Sequence, residues 1–332
     1  MGPLRSPVAG DSSDTQLGEI VVERSGSSET IEAVLRLAPR GTAPFPDYDL
    51  GLQAHVMREI GRTGGLPVPE VLFLEEDPAP LGVPFLIMRR VDGVAPSDRP
   101  SYQGEGFYAE ATTPQREHIW QGTIEAAARL HALDWRAIGG GRLPGTREGD
   151  DPRSVSLDYW QDYLAHFLKE TPDESVPVFD EALAYLVAEK PTDARLSLCW
   201  GDAKLGNVLY TTDRYDLAAV IDWEMAIVGD PEQDLASLHL SDLRAQDFAG
   251  KIQPGTPSAD QLVALYKAAS GEPVRHFHYN LVFATFWRGA VQIAVTRQMR
   301  RQGIEIPDVM FVDNFPMNTL RRLLDLPGPG HP

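Results

Sequence analysis

Leu198-Cys199-Trp200-Gly201-Asp202-Ala203-Lys204-Leu205-Gly206-Asn207-Val208-Leu209-Tyr210, followed by Ala219-Val220-Ile221-Asp222-Trp223-Glu224, is the stretch whose reading decides the fold. Asp202, then Asn207 five residues on, then Asp222 at the end of the next apolar strand set three oxygen-bearing side chains in a fixed order. Phosphoryl transfer asks for that set: one carboxylate for the acceptor hydroxyl, and an amide and a second carboxylate for Mg²⁺. Asp202 is therefore expected to orient the attacking hydroxyl and take its proton, while Asn207 and Asp222 supply hard oxygens to the metal. Leu209-Tyr210 and the run from Leu217 to Ile221 read as two short strands around Thr211-Thr212-Asp213-Arg214. That hairpin would hold both metal positions on rigid supports. Taken singly, each residue has an ordinary reading, since Asp near glycine marks a turn and Asn caps one. Together, at this spacing, they argue for kinase chemistry.

The run continues through Met225-Ala226-Ile227-Val228-Gly229-Asp230-Pro231-Glu232-Gln233-Asp234-Leu235-Ala236. These linked motifs resemble the aminoglycoside phosphotransferase family, whose pattern is His-Gly-Asp-x-x-x-x-Asn, then Asp-Trp-Glu, then Gly-Asp-Pro-x-x-Asp-Leu-Ala. Trp200 stands where that pattern has histidine. The resemblance implies an α+β, bilobal protein-kinase-like fold, with a small β-rich first lobe and a larger, mainly helical second lobe. It implies ATP or GTP with Mg²⁺ as cofactors and a hydroxyl on a small molecule as acceptor. Lys204 falls where related protein kinases carry a lysine that neutralises the moving phosphoryl, and Asp234 resembles a carboxylate that braces the catalytic loop from behind. Read on its own, Gly229-Asp230-Pro231 is a turn that opens a helix. Family members include antibiotic kinases, kinases of ordinary metabolites and relatives fused to enzymes of acyl thioester metabolism, so the resemblance does not choose the acceptor.

Residues 1–15 read as a flexible tail, 16–93 as a nucleotide-binding first lobe and 94–332 as the helical lobe with the catalytic loop and acceptor site. Leu17 to Glu23 reads as a strand. Ser25-Gly26-Ser27-Ser28-Glu29-Thr30 resembles the family's nucleotide loop, which implicates Ser27 and Ser28 in cofactor binding; alone, such a segment is a hairpin turn. On the following strand Arg36 takes the place of the family's cationic residue, and a guanidinium clamps phosphate oxygens. Only five residues separate Thr30 from Arg36, too few for another hairpin at about 3.3 Å per residue, so a shortened first lobe is expected. On the helix expected from Leu50 to Gly61, Gln53 stands where the usual acidic partner belongs, leaving Asp49 and Glu59 as substitutes. The strand from Phe85 and the hinge after it place the adenine contacts at the backbone of Arg89 to Val91, and Val94 to Thr113 reads as an irregular cover over the cleft mouth.

Helical spacing marks a helix opening at Thr113-Pro114 and running to Leu133, and further helices over Leu157 to Leu168, Val178 to Glu189, Ala259 to Ala269 and Arg275 to Arg300. His131 is expected to be a packed structural histidine, and the aromatics Phe277, Tyr279, Phe283, Phe286 and Trp287 to be core. A net charge of −18 and pI near 4.8 argue against nucleic acid as a partner. The single cysteine, Cys199, excludes an internal disulfide and reads as buried and inert. With no apolar run of signal-peptide or membrane-span length, the expectation is a cytoplasmic protein without a membrane partner. Two further readings compete: a degenerate member that binds nucleotide or ligand without transfer, and a protein kinase, which the absence of an Asp-Phe-Gly segment disfavours. The C-terminal helical region offers aromatics and Arg288 more than carboxylates, which favours a less cationic metabolite or acyl-type hydroxyl compound over an aminoglycoside.

Overall fold

The computed structural model describes residues 14–24, 27–39, 48–168, 177–301, 303–307 and 313–327. β1 (Asp14–Arg24) and β2 (Ser27–Leu37) form a long antiparallel hairpin, in register from Asp14 opposite Leu37 to Arg24 opposite Ser27. β3 (Val71–Glu75) and β4 (Phe85–Arg89) complete a four-stranded sheet of order β1-β2-β4-β3. Alternation sets the faces: Ile31, Ala33 and Leu35 of β2 are buried, and so is Arg36 on the opposite face at the strand's last turn of pleat. β2 runs unbroken from Ser27 to Leu37, so no second hairpin lies between Thr30 and Arg36. α1 (Leu50–Thr63) starts where the Asp49 carboxylate accepts from the Leu52 amide at 2.8 Å and stops at Gly64, whose φ is +66°. Its apolar stripe of Leu52, Val56, Met57 and Ile60 packs against the sheet.

The chain leaves the sheet at β4 and crosses onto the catalytic hairpin. Val94 and Tyr210 exchange backbone bonds of 2.9 and 3.0 Å, and a Cβ on Gly93 would lie 3.0 Å from both Leu209 and the Tyr210 carbonyl. Glycine is what permits that close approach. The irregular stretch that follows contains one short helix, α2 (Phe107–Glu110), and is anchored through Tyr102 and Gln103, which both donate to Asp242.

The larger part is helical. α3 (Thr113–His131) has Pro114 in its first turn and Gln115 reaching back to the Thr112 amide at 2.7 Å, one residue earlier than the Thr113 cap expected from sequence. α4 (Trp135–Gly139), α5 (Val155–Leu168), α6 (Pro177–Ala188), α7 (Glu232–Ala249), α8 (Ala259–Ser270), α9 (Phe277–Arg301) and α10 (Phe315–Leu323) follow. Two small antiparallel pairs sit among them: β5 (Ser197–Cys199) with β8 (Ile227–Gly229), and β6 (Val208–Tyr210) with β7 (Leu217–Val220). One apolar core joins α1, β4, α3 and these short strands; a second gathers α5, α6, α9 and α10, with Trp160 stacked on Trp287 at 5.2 Å. Phe283, Phe286 and Trp287 are thus core residues. Among the described residues no helix is long and apolar enough to cross a membrane.

Candidate active site

The segment between β5 and β6 turns sharply at Gly201, whose φ is +91° and whose missing side chain makes room for the Met225 carbonyl. Its backbone is gripped from behind by Asp234, near the start of α7. The fully buried Asp234 carboxylate accepts from the Trp200 amide at 2.7 Å, the Gly201 amide at 2.9 Å and His131 Nε2 at 3.0 Å. On the far side of the imidazole, Nδ1 lies 2.9 Å from the Tyr266 hydroxyl, which itself accepts from Arg195 at 3.0 Å. That chain of donors places the imidazole proton on Nε2, facing the carboxylate. His131, Cys199 and Asp234 lie close together, but the carboxylate's bonds account for the cluster, and burial pushes the Cys199 thiol up, away from thiolate.

Trp200 fills the position where the family pattern has histidine. Its indole N–H donates to the carbonyls of Ile221 at 2.9 Å and Asp222 at 3.2 Å, and its ring lies 6.1 Å from that of Trp223. One side chain thereby ties the Asp202 segment to the Asp222 segment. Asp222 itself has φ +63°, a left-handed conformation that Asp tolerates better than most residues.

Asp202 sits at the centre of a charged cluster. Oδ1 lies 3.2 Å from Arg288 of α9; Oδ2 lies 3.3 Å from Lys204 Nζ and accepts from Asn207 Nδ2 at 3.1 Å. Asn207 also donates to the Asp202 carbonyl at 3.0 Å, and its own carbonyl accepts from Ile221, so it spans both motifs. Burial pushes the Asp202 carboxyl up, but Lys204 and Arg288 outweigh it and hold the pKa at about 2. Lys204 is held fully protonated, Asp202 being the chief cause, and it also reaches Asp98 at 3.2 Å. Asp98 belongs to the irregular stretch expected to cover the cleft, and that stretch also touches Gly206 through Pro96.

Arg36 crosses from the sheet to this cluster. Its Nη2 lies 2.8 Å from both Asp222 Oδ1 and Glu224 Oε2, and its Nε donates to the Tyr48 hydroxyl at 2.6 Å. Burial works against its charge, but Asp222, Tyr48 and Glu224 more than offset it, so the guanidinium pKa is raised. Neither expected substitute for the missing acid serves: Asp49 caps α1 and Glu59 pairs with Arg62. Among the described residues, buried Gln53 has no hydrogen-bond partner for either amide atom. The acid comes instead from Glu224, within the motif itself.

The remaining sequence candidates lie apart from this cluster. Ser27 and Ser28 open β2, nine residues from Arg36, about 30 Å along an extended strand; Ser25 and Gly26 lie outside the described residues. The Arg89 side chain pairs with Glu70 at 2.7 Å on the surface. At the hinge, the Arg89 amide donates to Glu70 and the Arg90 amide to Glu32, while among the described residues the N–H and C=O of Val91 bond to no protein group. Among the described residues, Val91 is thus an expected hinge position with both its backbone groups open. Sequence reasoning missed Tyr48 and Asp98, and placed Arg288 in the acceptor wall without linking it to Asp202. Glu224 was visible as the last residue of Asp222-Trp223-Glu224; for Arg288, 86 residues from its partner, no local signal exists.

Several solved structures share this fold. A candidate aminoglycoside phosphotransferase from Ralstonia eutropha JMP134 is 20% identical, with a TM-score of 0.71 over 98% of this chain and 92% of that one. A thermostable mutant of aminoglycoside phosphotransferase APH(4)-Ia is 17% identical, with a TM-score of 0.60 over 98% and 94%. Another mutant of that enzyme forms a ternary complex with ADP and hygromycin B. Among curated sequences, acyl-CoA dehydrogenase family member 10 of Mus musculus is 27% identical over 273 residues, 78% of this chain and 24% of that protein. Family member 11 of Rattus norvegicus is 28% identical over 242 residues, 70% and 29%. The chain thus spans about a quarter to three tenths of the length of these curated relatives. The small antiparallel sheet and larger helical part make this a protein-kinase-like fold. The family model for the phosphotransferase enzyme family matches residues 20–274, well over half of the sequence, and the chain belongs to that family.

Proposed function

We propose that the chain transfers the terminal phosphoryl group of ATP or GTP to a hydroxyl of a small molecule. The observation that carries this reading is the Asp202 carboxylate, half-buried between Lys204 and Arg288, bonded by Asn207 and set on a loop whose amides Asp234 holds. In the transfer, the acceptor oxygen bonds to the phosphorus as the bridging bond breaks, the nucleoside diphosphate leaves, and the hydroxyl proton passes to Asp202. A carboxylate with a pKa of about 2 is a weak base, so Asp202 orients the hydroxyl and takes the proton late. That suits a loose transition state, in which the attacking oxygen gains little positive charge early. Lys204 neutralises charge on the moving phosphoryl.

The donor set fits Mg²⁺. Asn207 spends its amide N–H on Asp202 and keeps its side-chain oxygen for a ligand, and Asp222 offers a carboxylate beside it, two hard oxygens of the kind Mg²⁺ takes with phosphate oxygens and water. Bound there, the ion would supply charge neutralisation to the nucleotide phosphates. Arg36 already lies on Asp222, where a guanidinium meets phosphate oxygens, and the open Val91 backbone marks the adenine edge.

The complexes of solved neighbours with ADP, AMP-PNP and GDP support nucleotide use. The dehydrogenase chemistry in the names of the curated relatives is not carried over, because the chain spans only about a quarter to three tenths of them and matches the phosphotransferase enzyme family model. For the acceptor, the cations facing Asp202 favour a metabolite less cationic than an aminoglycoside. A second reading, nucleotide binding without transfer, draws on the Arg36 contacts with Asp222 and Glu224 and on Trp200 in the motif. Incubating the protein with Mg²⁺ and ATP or GTP against a panel of hydroxylated compounds, with mass detection of phosphorylated products, separates the two: product supports transfer, and nucleotide binding with no product on any acceptor supports the second.

A further inference from the structure

The surroundings of Asp202 reverse the charge balance of the chain. Against a net charge of −18, the charges that act on Lys204 and Arg244 include the cations Arg288 and Arg99 as well as the carboxylates Asp98, Asp202 and Asp222. Asp98 and Asp202 are already engaged, by Lys204 and Arg288. Besides its contact with Asp202, Arg288 donates from Nη2 to the hydroxyls of Ser237 at 2.5 Å and Ser241 at 2.9 Å, and among the described residues its buried Nε has no partner.

Ser237, Ser241 and Arg244 recur at i, i+4 and i+7 along α7, so they share the helix face that Arg288 reaches. Among the described residues, Arg244 has no carboxylate within ion-pair distance. Its guanidinium lies 5.2 Å from the ring centroid of Phe248, a side chain that is 60% exposed. Burial and then the charge of Arg288 lower its pKa, while Asp98 and Asp202 pull the other way. A guanidinium stays charged regardless. It is therefore a partly buried cation on the α7 face whose serines hold Arg288, the partner of Asp202, stacked on Phe248 and, among the described residues, with donors uncommitted to any acid.

We propose that Arg244 determines acceptor specificity by binding an anionic group, a carboxylate or a phosphate, carried on the same molecule as the reacting hydroxyl. The planar fork of donors matches either oxyanion in two-point fashion, and a fixed anion at one end sets the distance of the hydroxyl from Asp202. Polycationic acceptors meet repulsion from the same arginines. The inference rests on the kinase reading for the identity of the acceptor, but the anion preference is measurable apart from turnover.

Calorimetric titrations of the full chain test it, first with Mg²⁺ and AMP-PNP alone. Matched probes follow, with and without that nucleotide: 3-hydroxybutyrate against 3-hydroxybutanamide, glycerol 3-phosphate against glycerol, and choline as a cation. At least one anion should bind about tenfold or more tighter than its neutral twin, the scale of one charge-assisted hydrogen bond, and choline no tighter than the neutral compounds. The pair that shows the gap tells carboxylate from phosphate. Arg244→Ala should erase the gap while leaving the neutral affinities and the melting temperature in place, and Arg244→Lys should restore part of it. Anionic and neutral twins that bind alike, no binding by any probe, or a gap that survives Arg244→Ala overturns the proposal. Failure of Mg²⁺ and AMP-PNP to bind counts instead against the kinase reading, because the anion titrations stand without nucleotide.

Discussion

Removing the Asp234 carboxylate tests how the catalytic loop is held. In Asp234→Ala the amides of Trp200 and Gly201 and the Nε2 proton of His131 lose the acceptor that holds them, with Trp200 and His131 buried and Gly201 partly so. Each buried donor left without an acceptor costs about 1–3 kcal/mol, and water entering the small void recovers part, so the net loss is about 3–5 kcal/mol. For a unit the size of the helical part, roughly 2–4 °C of melting temperature go with each kcal/mol, which gives a drop of roughly 6–20 °C. Turnover should fall as well, because Asp202 is two residues from Trp200 and depends on the same loop backbone. Asp234→Asn keeps the volume and one acceptor oxygen but sets an N–H against a donor, so it should fall between wild type and alanine. Differential scanning calorimetry with steady-state phosphotransfer reads both effects. An alanine variant melting within about 2 °C of wild type with unchanged turnover would refute the bracing argument.

Asp222→Ala should abolish the Mg²⁺-dependent tightening of nucleotide binding, because Asn207 alone is neutral; calorimetry with and without Mg²⁺ checks it, and an unchanged metal response would place the ion elsewhere. Trp200→His should stay active, one imidazole N–H replacing the indole bond to the Ile221 carbonyl, whereas Trp200→Ala should lose about 3–5 kcal/mol of stability, read as a lowered melting temperature. Arg288→Ala removes one of the two cations that hold Asp202 at a pKa of about 2. Because that pKa is depressed, the stabilisation of the carboxylate is present above its ordinary value and is lost as pH falls toward 2. The acid limb of kcat/KM should therefore move up by about one pH unit or more in the variant, and an unmoved limb would deny the coupling.

Much of the site was legible because Asp202, Asn207 and Asp222 lie within one short stretch whose strands and turns are local. Helices were legible for the same reason: the spacing of Ile119, Ile124 and Leu130, or the Ser258 cap of α8, speaks to a single element. What stayed hidden depends on contacts between distant segments. The anion for Arg36 comes from Asp222 and Glu224, far along the chain, rather than from the neighbouring helix, where Gln53 is buried with no partner among the described residues. β5 and β8 are three residues each and exist only as a pair, so neither carries a periodicity to read. α10 is short and holds Met317 and Leu320 against a core that only the assembled helices create.

Asp202 is the group proposed to receive the acceptor hydroxyl, and the most direct measurement is the kinetics of Asp202→Ala on the best acceptor found, with nucleotide affinity measured alongside. The carboxylate touches Lys204, Arg288 and Asn207 rather than the Val91 hinge, so its loss should strike turnover and spare nucleotide binding. A fall in kcat by about 10²–10⁴, the usual scale for a general base, with nucleotide affinity nearly intact, is the expected result. Turnover equal to wild type would contradict it.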